Sequence, residues 1–307
     1  MVQIKRILCP IDFSECSLRA LHQGMALARR YGASLTVLHV FTNLPNLEIA
    51  GIPLDDPDHK LLIQRMQVFT GDVPPDLKIR FVARCVQEVS AEILAQAEEA
   101  DLVVIGSHGR SGFNRLLLGS ATEKVVRKAT RPIMVVPPHL PPAGSGLLRG
   151  TPPHIVCAID FSAASLGALT YAISLAEQSA AQLTLFHSIE VPPELLESIP
   201  LPAEFNIEQA HAEARAGLLQ RLRELVPSST RERCEVKTHV DEGMAYRQLL
   251  RLAVEQPIDL IVMGVQGRGA VDLLLFGSNT ARVIRAATCP VLIVPVLPGN
   301  AGARPTD

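Results

Sequence analysis

The sequence predicts an α/β fold made twice over: two tandem domains, each a five-stranded parallel sheet with helices on both faces. Three observations predict it. A glycine pattern occurs twice, Gly106-x2-Gly109-x9-Gly119-Ser120 returning as Gly264-x2-Gly267-x9-Gly277-Ser278. Segments 7–21 and 155–169 align at an offset of 148 residues with ten of fifteen positions identical. Strand-like and helix-like segments alternate through each copy, which implies right-handed crossovers and a doubly wound sheet. By Asp101 and Asp259 the offset is 158, so the second copy carries ten extra residues in its middle. A period of about 150 residues is too long for a solenoid unit and suits two domains of ordinary size.

In the first copy, residues 6–11 read as a buried strand. Ser14 is the candidate N-cap of a helix running to about Tyr31, with Ala20, Leu21, Leu27 and Ala28 on its apolar face. A second strand is predicted over 34–40, a helix over 58–69 and a third strand over 78–85. Then come a helix over 89–100, a strand over 102–106, a helix over 121–129 and a strand over 133–136. The first and fourth strands are near-continuous apolar runs, as a parallel sheet covered on both faces requires. The second copy repeats this order, with a longer helix over 207–225.

Residues 1–138 and 153–298 are thus the two domains, with a proline- and glycine-rich linker over 139–152 and a tail over 299–307 that lacks apolar periodicity. With 307 residues, 48% of them hydrophobic, each domain can bury a full core. A net charge of −2 gives no case for a nucleic-acid or membrane-surface partner. No apolar stretch reaches the roughly 18–20 residues of a membrane span. The N-terminal segment reads as a strand rather than a signal peptide. Six dispersed cysteines without C-x-x-C point to a reduced, cytoplasmic chain, not to disulfides or a metal centre. Cys9 and Cys157 fall on equivalent buried strand positions.

A glycine loop between a strand and a helix N-terminus is suited to phosphate. Its backbone N–H groups are unpaired and the helix dipole favours an anion. Gly109, Gly119 and Ser120, and Gly267, Gly277 and Ser278, are therefore the candidate phosphate contacts. Arg110 and Arg268 follow the second glycine and supply positive charge. The competing reading for Ser120 is a capping box with Glu123, a partner Ser278 lacks. Asp12 and Asp160 sit just past the first strand of each copy. A carboxylate there suits ribose hydroxyls, as in other dinucleotide sites; the alternative is a charge placed against the helix dipole. His39 and His187 end the second strands and read as structural, and His108 has Gln266 as its counterpart. There is no Walker lysine, no G-x-G-x-x-G after the first strand and no G-x-S-x-G. No loop residue is an evident base, so no catalytic residue is assigned and the loop is built to hold a nucleotide rather than turn it over.

The paired glycine loops, the I-D-F-S turns at Asp12 and Asp160, the L-T-[VL]-[LF]-H strands and the closing strands after Pro132 and Pro290 resemble the universal stress protein family in its tandem form. The resemblance covers nearly the whole chain except linker and tail. It implies a Rossmann-like sheet of order 3-2-1-4-5 in each domain, and ATP, with Mg2+, as the ligand. Carried over by position, Asp12 and Asp160 would meet the ribose, and the backbones of Val40 and Ser188 the adenine. Gly106, Gly109, Gly119 and Ser120 would line the triphosphate, as would Gly264, Gly267, Gly277 and Ser278. It also implies pairing of the two domains through their last strands, with a homodimer left open. Ser188 departs from the apolar residue the family places beside adenine, and Pro10 becomes Ala158.

The expected function is therefore an ATP-binding stress-response or signalling protein, in which nucleotide favours one conformation or one protein-partner surface. Two alternatives stand beside it. One is a slow ATPase or autophosphorylating protein with Ser120, Ser278, Thr122 or Thr280 as acceptors. The other is an interaction scaffold whose loops cap helices and bind nothing.

Overall fold

The computed structural model describes residues 2–42, 57–109, 118–138, 140, 152–190, 207–265 and 277–296. In the first half, β1 (Arg6–Ile11), α1 (Glu15–Tyr31), β2 (Ser34–Phe41), α2 (Pro57–Thr70) and β3 (Ile79–Cys85) come first. They are followed by α3 (Val89–Ala97), β4 (Leu102–Gly106), α4 (Ser120–Lys128) and β5 (Ile133–Val136). The second half begins with β6 (His154–Ala158), α5 (Ala163–Ser179), β7 (Gln182–Ile189), α6 (Ile207–Glu224) and α7 (Ser228–Arg233). It closes with β8 (Val236–Glu242), α8 (Ala245–Glu255), β9 (Leu260–Gly264), α9 (Ser278–Ala286) and β10 (Val291–Val294).

Several expected boundaries move by one residue and one by three, as at β2, which runs to Phe41, α2, which spans Pro57–Thr70, and β3, which starts at Ile79. The helix expected to reach residue 100 ends at Ala97, and α4 begins one residue early, at Ser120. Helix α7 was not expected; six residues are too few to show a 3.6-residue period. The predicted linker, apart from Leu140 and Pro152, and the predicted tail lie outside the described residues.

The ten strands among the described residues form one sheet, in the order β3-β2-β1-β4-β5-β10-β9-β6-β7-β8. Each half therefore has the expected 3-2-1-4-5 order, with parallel pairing throughout. The halves meet at β5 and β10, which pair antiparallel with Met134 opposite Leu292. Two sheet edges that would otherwise invite association are covered in this way. Glu123 of α4 reinforces the seam from above, meeting Arg127 at 3.0 Å and Arg285 of α9 at 3.8 Å. These groups are partly exposed, so the ion pairs add little to stability.

Side-chain alternation explains the apolar runs. Ile7, Cys9 and Ile11 point to the face covered by α1 and α2, while Leu8 points to the face covered by α3 and α4. The second half repeats this, with Ile155 and Cys157 toward α5 and α6 and Val156 toward α8 and α9. Cys9 and Cys157 are fully buried, and burial pushes both thiols well up, so they stay protonated and inert.

Helices α1 and α5 show how local chemistry fixes their ends. Ser14 and Ser162 cap them, each accepting from the N–H three residues on at 3.2 Å. At the other end the chain turns into the left-handed region, at Gly32 with φ 62° and at Ala180 with φ 49°. Glycine adopts that conformation freely and alanine does not. Ala180→Gly is expected to stabilise the protein by roughly 0.5–1 kcal/mol, relief of strain exceeding the entropy glycine adds to the unfolded chain. A urea unfolding curve of the variant would test it, and an unchanged or lower midpoint would show that the strain is absent.

Candidate functional site

The site begins where β1 ends. Strand order reverses between β1 and β4, which are neighbours with Ile7 opposite Leu102. In open α/β sheets the crevice beyond such a switch point is where ligands bind. The turn from β1 into α1 is Asp12-Phe13-Ser14. Asp12 Oδ1 accepts from the Ser14 hydroxyl at 2.6 Å and from its N–H at 3.1 Å. Ser17 closes the turn: its hydroxyl donates to the Ser14 carbonyl at 2.9 Å and accepts from the Asp12 N–H at 3.3 Å. The second half repeats each bond. Asp160 Oδ1 accepts from Ser162 at 2.6 and 3.0 Å, and Ser165 takes the place of Ser17 at 3.0 and 3.3 Å.

Between aspartate and serine the chain is strained. Phe13 has φ 63° and Phe161 φ 62°, in the left-handed region that side chains avoid. Such a residue costs on the order of 1–2 kcal/mol. Ring contacts offset the strain. Phe13 packs on His39 with centroids 4.6 Å apart and edge-on to Phe69 at 5.2 Å, and the Arg65 guanidinium lies 4.5 Å from its centre. Phe161 packs on His187 at 5.1 Å, with the Arg221 guanidinium 4.1 Å from its centre. Aromatic pairs contribute about 0.5–1.5 kcal/mol and exposed cation–π contacts about 0.5–1 kcal/mol. The histidines have the structural role expected of them. His39 Nδ1 lies 2.8 Å from the Ile11 carbonyl and His187 Nδ1 2.7 Å from that of Ile159, tying the end of β2 to β1 and that of β7 to the residue just past β6.

The glycine loop comes to the same place from β4. Gly109 lies against the aspartate: a Cβ added to it would stand 2.7 Å from Asp12 Oδ2. One carboxylate oxygen thus holds the turn and the other faces the loop. The Gly119 N–H donates to the Ser107 carbonyl at 2.9 Å, closing the loop's base. Gly106 and Gly264 have a further role. A Cβ on Gly106 would stand 2.9 Å from Cys16 Sγ and 3.1 Å from its backbone, and one on Gly264 would stand 2.7 Å from the Ala164 carbonyl carbon. These two glycines let α1 and α5 pack directly on the sheet, a demand that exists with or without a ligand.

The capping-box reading of Ser120 is corrected. Gly119 is the N-cap of α4 and Ser120 is its first helical residue, so the cap is a glycine with no side-chain hydrogen bond to give. Gly277 and Ser278 repeat this in α9. Glu123 is turned instead toward Arg127 and Arg285. A glycine N-cap leaves the first N–H groups of each helix to another acceptor. Ser120 and Ser278 are exposed there. Thr122 and Thr280 are ill placed as phosphate acceptors: both are buried, and their hydroxyls donate to the Gly106 and Gly264 carbonyls at 2.9 and 3.2 Å.

At the predicted adenine positions, Val40 is buried near the end of β2, opposite Arg84 of β3. Ser188, the departure in the second half, donates its hydroxyl to the Gly243 carbonyl at 2.7 Å, so the polar group is satisfied within its own half. Arg110, Gly267 and Arg268 lie outside the described residues. A cleft of about 350 Å³ lined by Arg6, Lys78, Arg80 and Gln96 lies at the opposite edge, by the strand N-termini. The end of α3 and Glu99 also line it, and a helix C-terminus disfavours the anion its cations invite. Among the described residues, no cluster of histidine, cysteine and carboxylate side chains is able to hold a metal ion. No helix among them is long and apolar enough to cross a membrane.

Sequence reasoning missed Ser17, Ser165, Phe13, Phe161, Arg65 and Arg221. The two serines and two phenylalanines are among the identical positions of the 7–21 and 155–169 alignment. The arginines also had a signal: Leu62-Ile63-Gln64-Arg65-Met66 returns as Leu218-Leu219-Gln220-Arg221-Leu222.

A sequence model of the universal stress protein family matches residues 3–137 and 153–295. A universal stress protein of Mycolicibacterium smegmatis is 35% identical over 137 residues, covering 43% of this chain and 46% of that protein. One of Mycobacterium tuberculosis is 26% identical over 303 residues, covering 94% of this chain and 96% of its own length. In fold, the chain is similar to a crystallised universal stress protein of Archaeoglobus fulgidus, at a TM-score of 0.64 and 23% identity, over 96% of this chain and 97% of that one.

Proposed function

The chain belongs to the universal stress protein family, and from that premise we propose that it is an ATP-responsive stress or signalling protein with one nucleotide site in each half. Asp12 and Asp160 hold the ribose. The backbone of the glycine loops and the N-termini of α4 and α9, with Ser120 and Ser278, take the triphosphate and its Mg2+. The backbones at Val40 and Ser188 meet adenine. Arg110 and Arg268 add positive charge from the loops.

One observation carries the reading. At the switch point of the sheet, a carboxylate with one oxygen turned to Gly109 stands beside a helix whose N-cap is a glycine. The described part of the second half has the same turn at Asp160 and the same glycine N-cap on α9. Backbone N–H groups suit phosphate and a carboxylate suits hydroxyl donors, so the pairing fits a nucleotide better than a free phosphate. ATP acts as a ligand: it favours one conformation or partner surface by differing in affinity between states.

The test is mass spectrometry of small molecules released by denaturing freshly purified protein, followed by titration calorimetry with MgATP. About two ATP per chain is expected, and failure both to carry and to bind ATP sinks the reading in favour of a scaffold. Asp12→Ala together with Asp160→Ala is expected to weaken ATP binding by about 1–2 kcal/mol, the scale of hydrogen bonds involving a charged group. Unchanged affinity would leave the carboxylates a purely helix-dipole role. Exposed Ser120 and Ser278 are the hydroxyls to examine for phosphate if ADP is released instead.

A further inference from the structure

We propose that Arg65 and Arg221 are positioning residues of the two nucleotide sites, an inference that rests on the ATP reading above. Each guanidinium clamps the phenylalanine that follows the site's aspartate and so holds the carboxylate toward the glycine loop.

The turn is where positioning is needed. Phe13 and Phe161 are held in a left-handed conformation that an unconstrained phenylalanine leaves. If Phe13 relaxes, the peptide planes on either side rotate, and Asp12 is one of those neighbours. Its Oδ2 now meets Gly109 so closely that even a methyl group would not fit between them. The phenylalanine ring is therefore the handle by which the turn can be fixed. His39 or His187 holds it from the strand, itself anchored on the carbonyl of Ile11 or Ile159. Arg65 or Arg221 holds it from the next helix.

Recurrence separates this from an incidental surface contact. Helices α2 and α6 share only a short core of sequence around the arginine. Met66 and Leu222, the next residues, are fully buried, so packing accounts for them. The arginines are exposed, so packing of the core does not account for them. Neither pairs with a carboxylate among the described residues. What the two share is the ring beneath them, at 4.5 and 4.1 Å. A guanidinium is suited to this, being planar, always charged and weakly hydrated.

The test compares MgATP affinity by calorimetry in the wild type, Arg65→Ala with Arg221→Ala, Asp12→Ala with Asp160→Ala, and all four changes together. The arginine pair is expected to lower affinity about two- to fivefold, the scale of an exposed cation–π contact. In the aspartate background the arginine changes are expected to have no further effect, because they act through the carboxylate. Equal affinity of the arginine variant and wild type overturns the proposal. So does an equal loss in both backgrounds, which would mean a direct or merely structural role. Arg65→Met with Arg221→Met keeps a long apolar stem without the cation and serves if the alanine variant folds poorly; full wild-type affinity there would show that the cation on the ring is dispensable and likewise overturn the proposal. A wild type that takes no ATP overturns the nucleotide reading and this inference together, whereas a binding wild type with unaffected variants overturns this inference alone.

Discussion

Alanine in place of Gly264 is expected to destabilise the fold by about 3 kcal/mol. The added Cβ would stand 2.7 Å from the Ala164 carbonyl carbon, 2.8 Å from its Cβ and 2.9 Å from its oxygen. Two of those atoms are backbone and none can rotate away. Relief requires α5 to lift from β9, and α5 buries Ala168, Leu169, Ala172, Leu175 and Ala176 against the sheet. Gly167→Ala is the control. It adds the same methyl group to the same helix where nothing lies within 4 Å, and helix propensity there favours alanine by about 0.5–1 kcal/mol. Urea unfolding of both variants reads the difference. A loss under about 1 kcal/mol at Gly264 would mean that the helix stands off the strand more than the structure has it.

Valine at Gly109 and Gly267 together is expected to remove ATP binding while leaving the chain folded. Gly109 follows β4 in the loop, so its side chain competes with the ligand rather than with the core. Its Cβ would meet Asp12 Oδ2 at 2.7 Å, and the two branches of valine would fill the approach to the loop's backbone. Displacing the carboxylate and blocking the N–H groups together is expected to lower affinity about a hundredfold or more, roughly 2.8 kcal/mol. Calorimetry with MgATP measures the loss, and a thermal melt close to wild type shows that folding is intact. ATP affinity retained in the double variant would exclude the glycine loops as its site.

The two substitutions separate roles that the glycine pattern presents as one. Gly106 and Gly109 stand three apart in a single motif, and the pattern alone suggests that both line a phosphate. The contacts divide them: Gly106 faces helix α1 and Gly109 faces Asp12. The competing capping-box reading of Ser120 fails for a related reason. Ser120-x-x-Glu123 has the right spacing, but the chain enters α4 through Gly119, and Glu123 finds Arg285 across the seam. Thr122 reads as a candidate phosphate acceptor in sequence, yet its hydroxyl is buried and donates to the Gly106 carbonyl.

By itself the sequence determined the duplication, the fold class, the strand positions and the place of the glycine loops. All of these are written in local pattern: apolar runs set by a sheet covered on both faces, caps set by Ser14 and Ser162, and a glycine spacing repeated in register. The tertiary structure alone decided which glycines face a helix and which a carboxylate, that Ser188 is satisfied by Gly243, and that Arg65 and Arg221 close over the turns at Phe13 and Phe161. Each of these is a contact between segments far apart in the chain. Residue type says only that a group can donate, accept or stack, and the partner is chosen when the sheet order brings β1, β2 and β4 together at one edge.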